Sequence, residues 1–164
     1  VLHRDDTTMR DELITTVESN PGIHFRALQR LLDCSTSTVD HHVRNTPEVN
    51  DVLIHNYRRV FHEAVDNNLY PALAALNHEA HKDILAFVAQ AEPVTRSEIS
   101  DEVDLASSTV TYHVTTLVDD DLLAVTQHGR TKYYQVTNAS RTAVKLYGKS
   151  LLEHATKGFI DLWD

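Results

Sequence analysis

The chain has 164 residues, with 24 acidic against 15 basic side chains and a net charge of −9. That is room for one ordinary domain or two small ones, without the basic excess usual among nucleic-acid binders. No apolar run approaches the ~18 residues that span a bilayer. The opening Val1-Leu2-His3-Arg4-Asp5-Asp6 lacks the apolar stretch of a signal peptide, and a single cysteine, Cys34, excludes an internal disulfide framework or a cysteine-rich zinc site. The expectation is a cytoplasmic protein with no membrane attachment.

In chain order, Leu13, Ile14 and Val17 recur at helical spacing. The break Asn20-Pro21-Gly22 separates them from a second apolar series, Ile23, Phe25, Leu28, Leu31 and Leu32. The hydroxyl cluster Ser35-Thr36-Ser37-Thr38 then caps a third helix, because short side-chain oxygens accept the orphan N–H groups of a helix start. On that helix Val39 and Val43 turn inward, and Ser37, Asp40, His41 and Arg44 turn outward. Pro47 follows, and Val52-Leu53-Ile54 returns as Val60-Phe61 through a basic turn, His55-Asn56-Tyr57-Arg58-Arg59. After the polar break Asp66-Asn67-Asn68-Leu69-Tyr70, Pro71 is placed to start a helix that continues towards Ala91.

The same series then repeats. Ala106-Ser107-Ser108-Thr109-Val110-Thr111-Tyr112-His113-Val114 matches Ser35–Val43 in register, at an offset of 71 (110 minus 39). The offset carries Leu13, Ile14 and Val17 onto Ile84, Leu85 and Val88. Thr95-Arg96-Ser97-Glu98 has capping-box spacing and starts the second helix of this copy. In the third helix Val110, Val114 and Leu117 face inward, and Ser108, Thr111, Tyr112 and Thr115 outward. Leu122-Leu123-Ala124-Val125 returns as Tyr133-Tyr134-Gln135-Val136 through Gln127-His128-Gly129-Arg130-Thr131-Lys132, a hairpin expected to be about two residues longer than the first. Both turns are basic and contain no acid. The tail Ser140–Trp163 carries Val144, Tyr147, Leu151, Ala155, Phe159 and Leu162 at alternating three- and four-residue steps. An amphipathic helix results, read as a homodimer seam with Phe159 and Trp163 as anchors, or as a cover for its own domain.

Three helices followed by a hairpin, with Ser-Thr-Val, a variable pair and His-Val in the third helix, resemble the arsenical-repressor-like and related archaeal winged-helix regulators over residues 9–62 and 78–137. The resemblance implies a mainly α protein with small β-hairpin wings. Its plan would be two tandem winged helix-turn-helix domains at 1–70 and 71–138, and a C-terminal amphipathic helix at 139–164. Asp121 stands where the family usually has a glycine after the third helix, a left-handed position that Asp tolerates better than most residues. Asp outnumbers Glu 15 to 9 and Arg outnumbers Lys 10 to 5, a balance that resembles proteins of salt-loving archaea, in which a carboxylate-rich surface says little about the partner.

The resemblance implies a transcriptional regulator that binds double-stranded DNA, its third helices in the major groove and its wings on backbone or minor groove. From Leu105 to Val118 no residue is charged, which suits a base-reading face. The candidate contacts are Ser37, Asp40, His41, Arg44, Arg58 and Arg59 in the first copy, and Ser107, Ser108, Thr111, Tyr112, Thr115, Arg130 and Lys132 in the second. Two roles stand for Asp40, accepting from a cytosine amine or a first-turn carboxylate favoured by the helix dipole. Tyr57 and Tyr112 fit a sugar or thymine methyl as well as a core lid. The second copy is expected to be the more typical reader, with the first assisting.

Competing signals are weaker. His78-Glu79-Ala80-His81 puts two imidazoles at i, i+3 with no third ligand nearby, so a structural or solvent-facing role is expected rather than a metal. Cys34 aligns with Leu105, an apolar plug, which argues against a sensing thiol. No nucleophile–base pair, phosphate-cradling glycine loop or catalytic carboxylate pair is visible. The expectation is therefore no enzyme, no metal and no cofactor. The alternative is a tandem winged-helix adaptor of the basal transcription or chromosome machinery, whose acidic faces bind a protein without base readout.

Overall fold

The computed structural model describes residues 5–156, with side chains through residue 149. Helix α1 (Asp6–Ser19) starts where the Asp5 side chain accepts from the Thr8 amide, and it buries Met9, Leu13 and Val17. After the short strand β1 (Ile23–His24) comes α2 (Phe25–Leu32), which stops because Asp33 takes left-handed geometry, φ 50°. Helix α3 (Thr36–Arg44) is capped by Ser35 and buries Val39 and Val43. Strands β2 (Val49–Ile54) and β3 (Tyr57–His62) complete the first copy in a sheet of order β1-β3-β2. Met9, Leu13, Val17, Leu28, Leu32, Val39 and Val60 share its core, with Cys34 packed at the edge.

A 3-10 turn (Asn67–Leu69) leads into α4 (Tyr70–Leu76), with Pro71 in its first turn. The expected continuous helix to Ala91 does not form. It breaks at Asn77, and α5 (Glu79–Ala91) restarts with His78 as an extended cap. The break is held from outside the helix, since buried Asn77 donates from Nδ2 to Pro21 O and to Leu73 O, both at 2.8 Å. Helix α6 (Arg96–Val103) carries the expected capping box between Thr95 and Glu98 and ends at left-handed Asp104, the counterpart of Asp33. Helix α7 (Ser107–Asp119) follows, capped by Ala106 without a side-chain bond, so the hydroxyl cap expected from the sequence exists only in the first copy.

Strands β4 (Leu123–His128) and β5 (Thr131–Val136) form the second wing, and Val94 bridges Tyr134 as Ile23 bridges Val60. The two hairpins have equal strands, Ile54 closing on Tyr57 and His128 on Thr131. The expected difference in hairpin length is therefore a difference in the third helix, 9 residues in α3 against 13 in α7. By the wings the offset has grown from 71 to 74 (131 minus 57).

Helix α8 (Asn138–Thr156) is the last element among the described residues. Ser140 Oγ donates to Leu122 O at 2.8 Å, which pins α8 to the turn after left-handed Asp121. The second core runs from Phe61, Val65, Leu69 and α4 through α5, α6 and α7 to Ala143, so the segment joining the copies is core rather than tether. Phe61 stacks on Tyr70 with centroids 3.8 Å apart, worth about 0.5–1.5 kcal/mol beyond the area buried. No helix among the described residues is long and apolar enough to cross a membrane. The expected dimer anchors Phe159 and Trp163 lie outside the described residues, as do the side chains of Leu151 and Ala155.

Candidate nucleic-acid interface

Each third helix shows a polar face to solvent. In the first copy Ser37, His41 and Arg44 are exposed and Asp40 is half-buried. Asp40 accepts from Arg58 Nη2 at 2.9 Å and pairs with Arg44 Nε at 3.1 Å, so its charge is satisfied within the protein. Arg58 in turn holds Asp51, with Nη2 at 2.5 Å and Nε at 3.1 Å from Oδ2, and its guanidinium lies 3.8 Å from the centre of the Phe25 ring. Hydrogen bonding to Asp51 first, and then to Asp40, holds the Arg58 guanidinium above its ordinary range.

The first wing thus differs from its sequence reading. The turn is only His55-Asn56, both at positive φ, and Arg58 and Arg59 lie within β3 rather than at the tip. Arg59 pairs in register with His24 and donates from Nη1 to Gly22 O at 3.1 Å. Burial pulls its guanidinium down to about 10. The tip residue His55 reaches the other copy, Nε2 lying 2.8 Å from Asp120 Oδ2 at the end of α7.

The second copy is organised differently. Ser107, Ser108, Tyr112 and Thr115 are exposed on α7, and Thr111 is half-buried. Thr111 Oγ1 donates to Ser107 O at 2.9 Å and accepts from Arg96 Nη1 at 3.4 Å. The turn of this wing is Gly129-Arg130, with φ +63° at Gly129 and open space around its Cα. Arg130 stands exposed at the tip and Lys132 exposed in β5, opposite Gln127.

Two groups were not assigned a contact from the sequence. Arg96 occupies the position of Phe25 in the other copy, beside α7, bonding Tyr134 OH at 2.9 Å while its Nε is buried without a partner. Its repeat alignment with a phenylalanine hid it. His78 and His81 gain a neighbour from α7, since His81 Nε2 lies 3.0 Å from His113 Nδ1 and the His78 and His81 rings stack at 4.2 Å. Half-buried His113 thus bonds the side chain of His81. Burial first, and then the neighbouring His78, His113, His55 and Arg59, pull His81 down to about 3. No group of three His, Cys, Asp or Glu among the described residues is arranged to hold a metal ion.

A family described as a helix-turn-helix domain matches residues 76–126, and another described as an N-terminal helix-turn-helix domain matches residues 7–67. No curated protein matches the chain. Among solved structures, a predicted DNA-binding transcriptional regulator from E. coli is 17% identical, with TM-score 0.44, covering 47% of this chain and 82% of that one. HlyU from Vibrio cholerae is 19% identical, with TM-score 0.43, covering 57% and 96%. The homodimeric winged helix-turn-helix domain of Mb0332 from Mycobacterium bovis, a possible ArsR-family regulator, is 13% identical, with TM-score 0.45, covering 58% and 94%. The two helix-turn-helix matches fall on two successive units, each of three helices followed by a hairpin, so the chain carries two tandem winged helix-turn-helix domains.

Proposed function

We propose that the protein regulates transcription by sequence-specific binding to double-stranded DNA, with the second copy as the principal reader. The observation that carries this is the contrast between the wings. Arg130 is exposed at the tip of a wing whose α7 carries no charge from Ser107 to Val118, whereas Arg58 and Arg59 are engaged inside the first copy. In this account Ser107, Ser108, Thr111, Tyr112 and Thr115 face base edges, and Arg130 and Lys132 contact phosphates and fix the register. Ser37, His41 and Arg44 assist from the first copy. Asp40 serves chiefly to hold Arg44 and Arg58, which removes the need for a cytosine contact. A homodimer through the C-terminal helix would present two such readers and match a two-fold operator.

The test is a titration of duplex genomic fragments at several potassium concentrations with wild type and the double variant R130A/K132A. Saturable binding to a subset of fragments is expected. The double variant should weaken it and lower the slope of log affinity against log salt by about 2, roughly one for each phosphate left without its cation.

A second reading has one observation in its favour. The docking of the His55 tip on Asp120 engages one wing within the molecule, as an adaptor binding a basal transcription factor could require. The open Gly129-Arg130 tip favours DNA, because an adaptor with no nucleic-acid role has no need of a free basic wing in an acidic chain.

A further inference from the structure

Between the two copies lies a cavity of about 610 Å3, within the size range of small-molecule sites. The first wing, α4, the start of α5 and one face of α7 all line it. Its walls carry Ile54, Pro71, Ala74 and Ala75, and the rings of Tyr57 and Tyr112 stand there largely exposed. Its polar lining is unusual for a chain of net charge −9. It contains Arg59, His24, His78, His81 and His113, with His55 and Asp120 paired to one another.

Two of the imidazoles have their protonation fixed by the backbone. His24 Nδ1 accepts from the Arg26 amide at 3.1 Å, and His78 Nδ1 accepts from the His81 amide at 3.4 Å. In each neutral ring Nε2 therefore carries the hydrogen and is a donor. No carboxylate among the described residues is in ion-pair range of Arg59, whose one side-chain bond is to Gly22 O. Among the described residues, this half-buried guanidinium, beside two imidazole donors and the N-terminus of α5, has no counter-ion. The carboxylate of Glu79, next to His78, is exposed, and Asp120 is occupied by His55.

We propose that this cleft is an effector site for a small aromatic carboxylate, its carboxylate on Arg59, His24 and His78 and its ring between Tyr57, Tyr112 and the alanines of α4. Such a ligand touches the first wing and α7 together, so it would alter how the principal reading helix is held. That regulatory consequence rests on the DNA-binding proposal, whereas binding of the ligand rests on the cleft alone.

The full chain is titrated with benzoate, phenylacetate and the uncharged benzamide, followed by thermal unfolding and by the imidazole NMR signals. At roughly tenfold over Kd, a carboxylate should raise Tm by about 3 °C. It should also shift the ring signals of His24, His78, His81 and His113 and move their titration to higher pH, with benzamide inactive. Arg59→Lys should weaken binding at least tenfold, and Tyr112→Ala, at an exposed position outside the core, should weaken it without loss of fold. The proposal is overturned if neither carboxylate moves the histidine signals at millimolar concentration, if benzamide acts equally, or if zinc alone raises Tm. Failure here with intact fragment binding removes the effector and leaves the DNA-binding proposal standing. Ligand binding without fragment binding does the reverse.

Discussion

His55, at the turn of the first wing, pairs with Asp120, at the C-terminus of α7, the proposed reading helix, across 65 residues of sequence. The pair makes the two copies mechanically unequal. One wing braces the other copy's helix, and the other wing projects into solvent. His55 is exposed, so the contact is weak and easily exchanged. His55→Ala should cost less than about 1 kcal/mol in urea unfolding. It should nevertheless speed amide hydrogen exchange in the first hairpin, and an unchanged exchange rate there would deny the brace.

Arg58 and Arg130 should separate structure from function. Arg58→Ala removes the cation shared by Asp40 and Asp51 and its stacking on Phe25, and should cost about 1–2 kcal/mol. Arg130→Ala, at an exposed turn, should cost within about 0.5 kcal/mol while weakening DNA binding. Denaturant midpoints set beside fragment affinities check both. A destabilised Arg130 variant would contradict the free tip.

The histidine cluster predicts a pH dependence of a definite sign. His24, His78, His81 and His113 all titrate below the ordinary histidine value in the folded chain, chiefly because of burial. Between the ordinary value of about 6.5 and the folded values, the unfolded chain holds more protons. Stability contributed by these neutral rings is thus full above about pH 6.5 and falls as the pH drops towards about 3, the value for His81. The slope is at most about 1.4 kcal/mol per pH unit for each proton. Urea midpoints at pH 7.5 and 5.0 should show the loss, and His81→Phe should reduce it.

Gly22 and Asn77 meet where the two copies join. Gly22 has φ +82°, and a Cβ there would lie 3.1 Å from both Asn77 Nδ2 and Phe61 Cε1. Gly22→Ala combines left-handed strain with that crowding and should cost more than about 1 kcal/mol. Asn77→Ala strips the donor from Pro21 O and should cost about 1–3 kcal/mol. Thermal unfolding of the two variants measures both costs, and neutrality of either would show that the copies are not joined there.

Features that depend on near neighbours in sequence were legible. The Thr95–Glu98 capping box, the Ser35 cap and the inward valines of both third helices follow from spacing alone, and left-handed Asp121 from the family resemblance. Features set by distant partners were not. The break at Asn77 answers to Pro21, 56 residues away. Arg58 looked like a tip cation because a His55-Asn56 turn lacks the usual glycine, and because its partner Asp40 lies on another element. His78 and His81 were visible as a pair, whereas His113 joins them only when α7 packs against α5.

The most direct test is selection of bound duplexes from a random pool by wild type, by Tyr112→Ala/Thr115→Ala and by Arg44→Ala. The account predicts that wild type enriches a defined motif, that the α7 double variant loses or changes it, and that Arg44→Ala keeps the motif at lower affinity. A pool with no enriched motif, or a motif untouched by the α7 variant and abolished by Arg44→Ala, would contradict the assignment of the second copy as the reader.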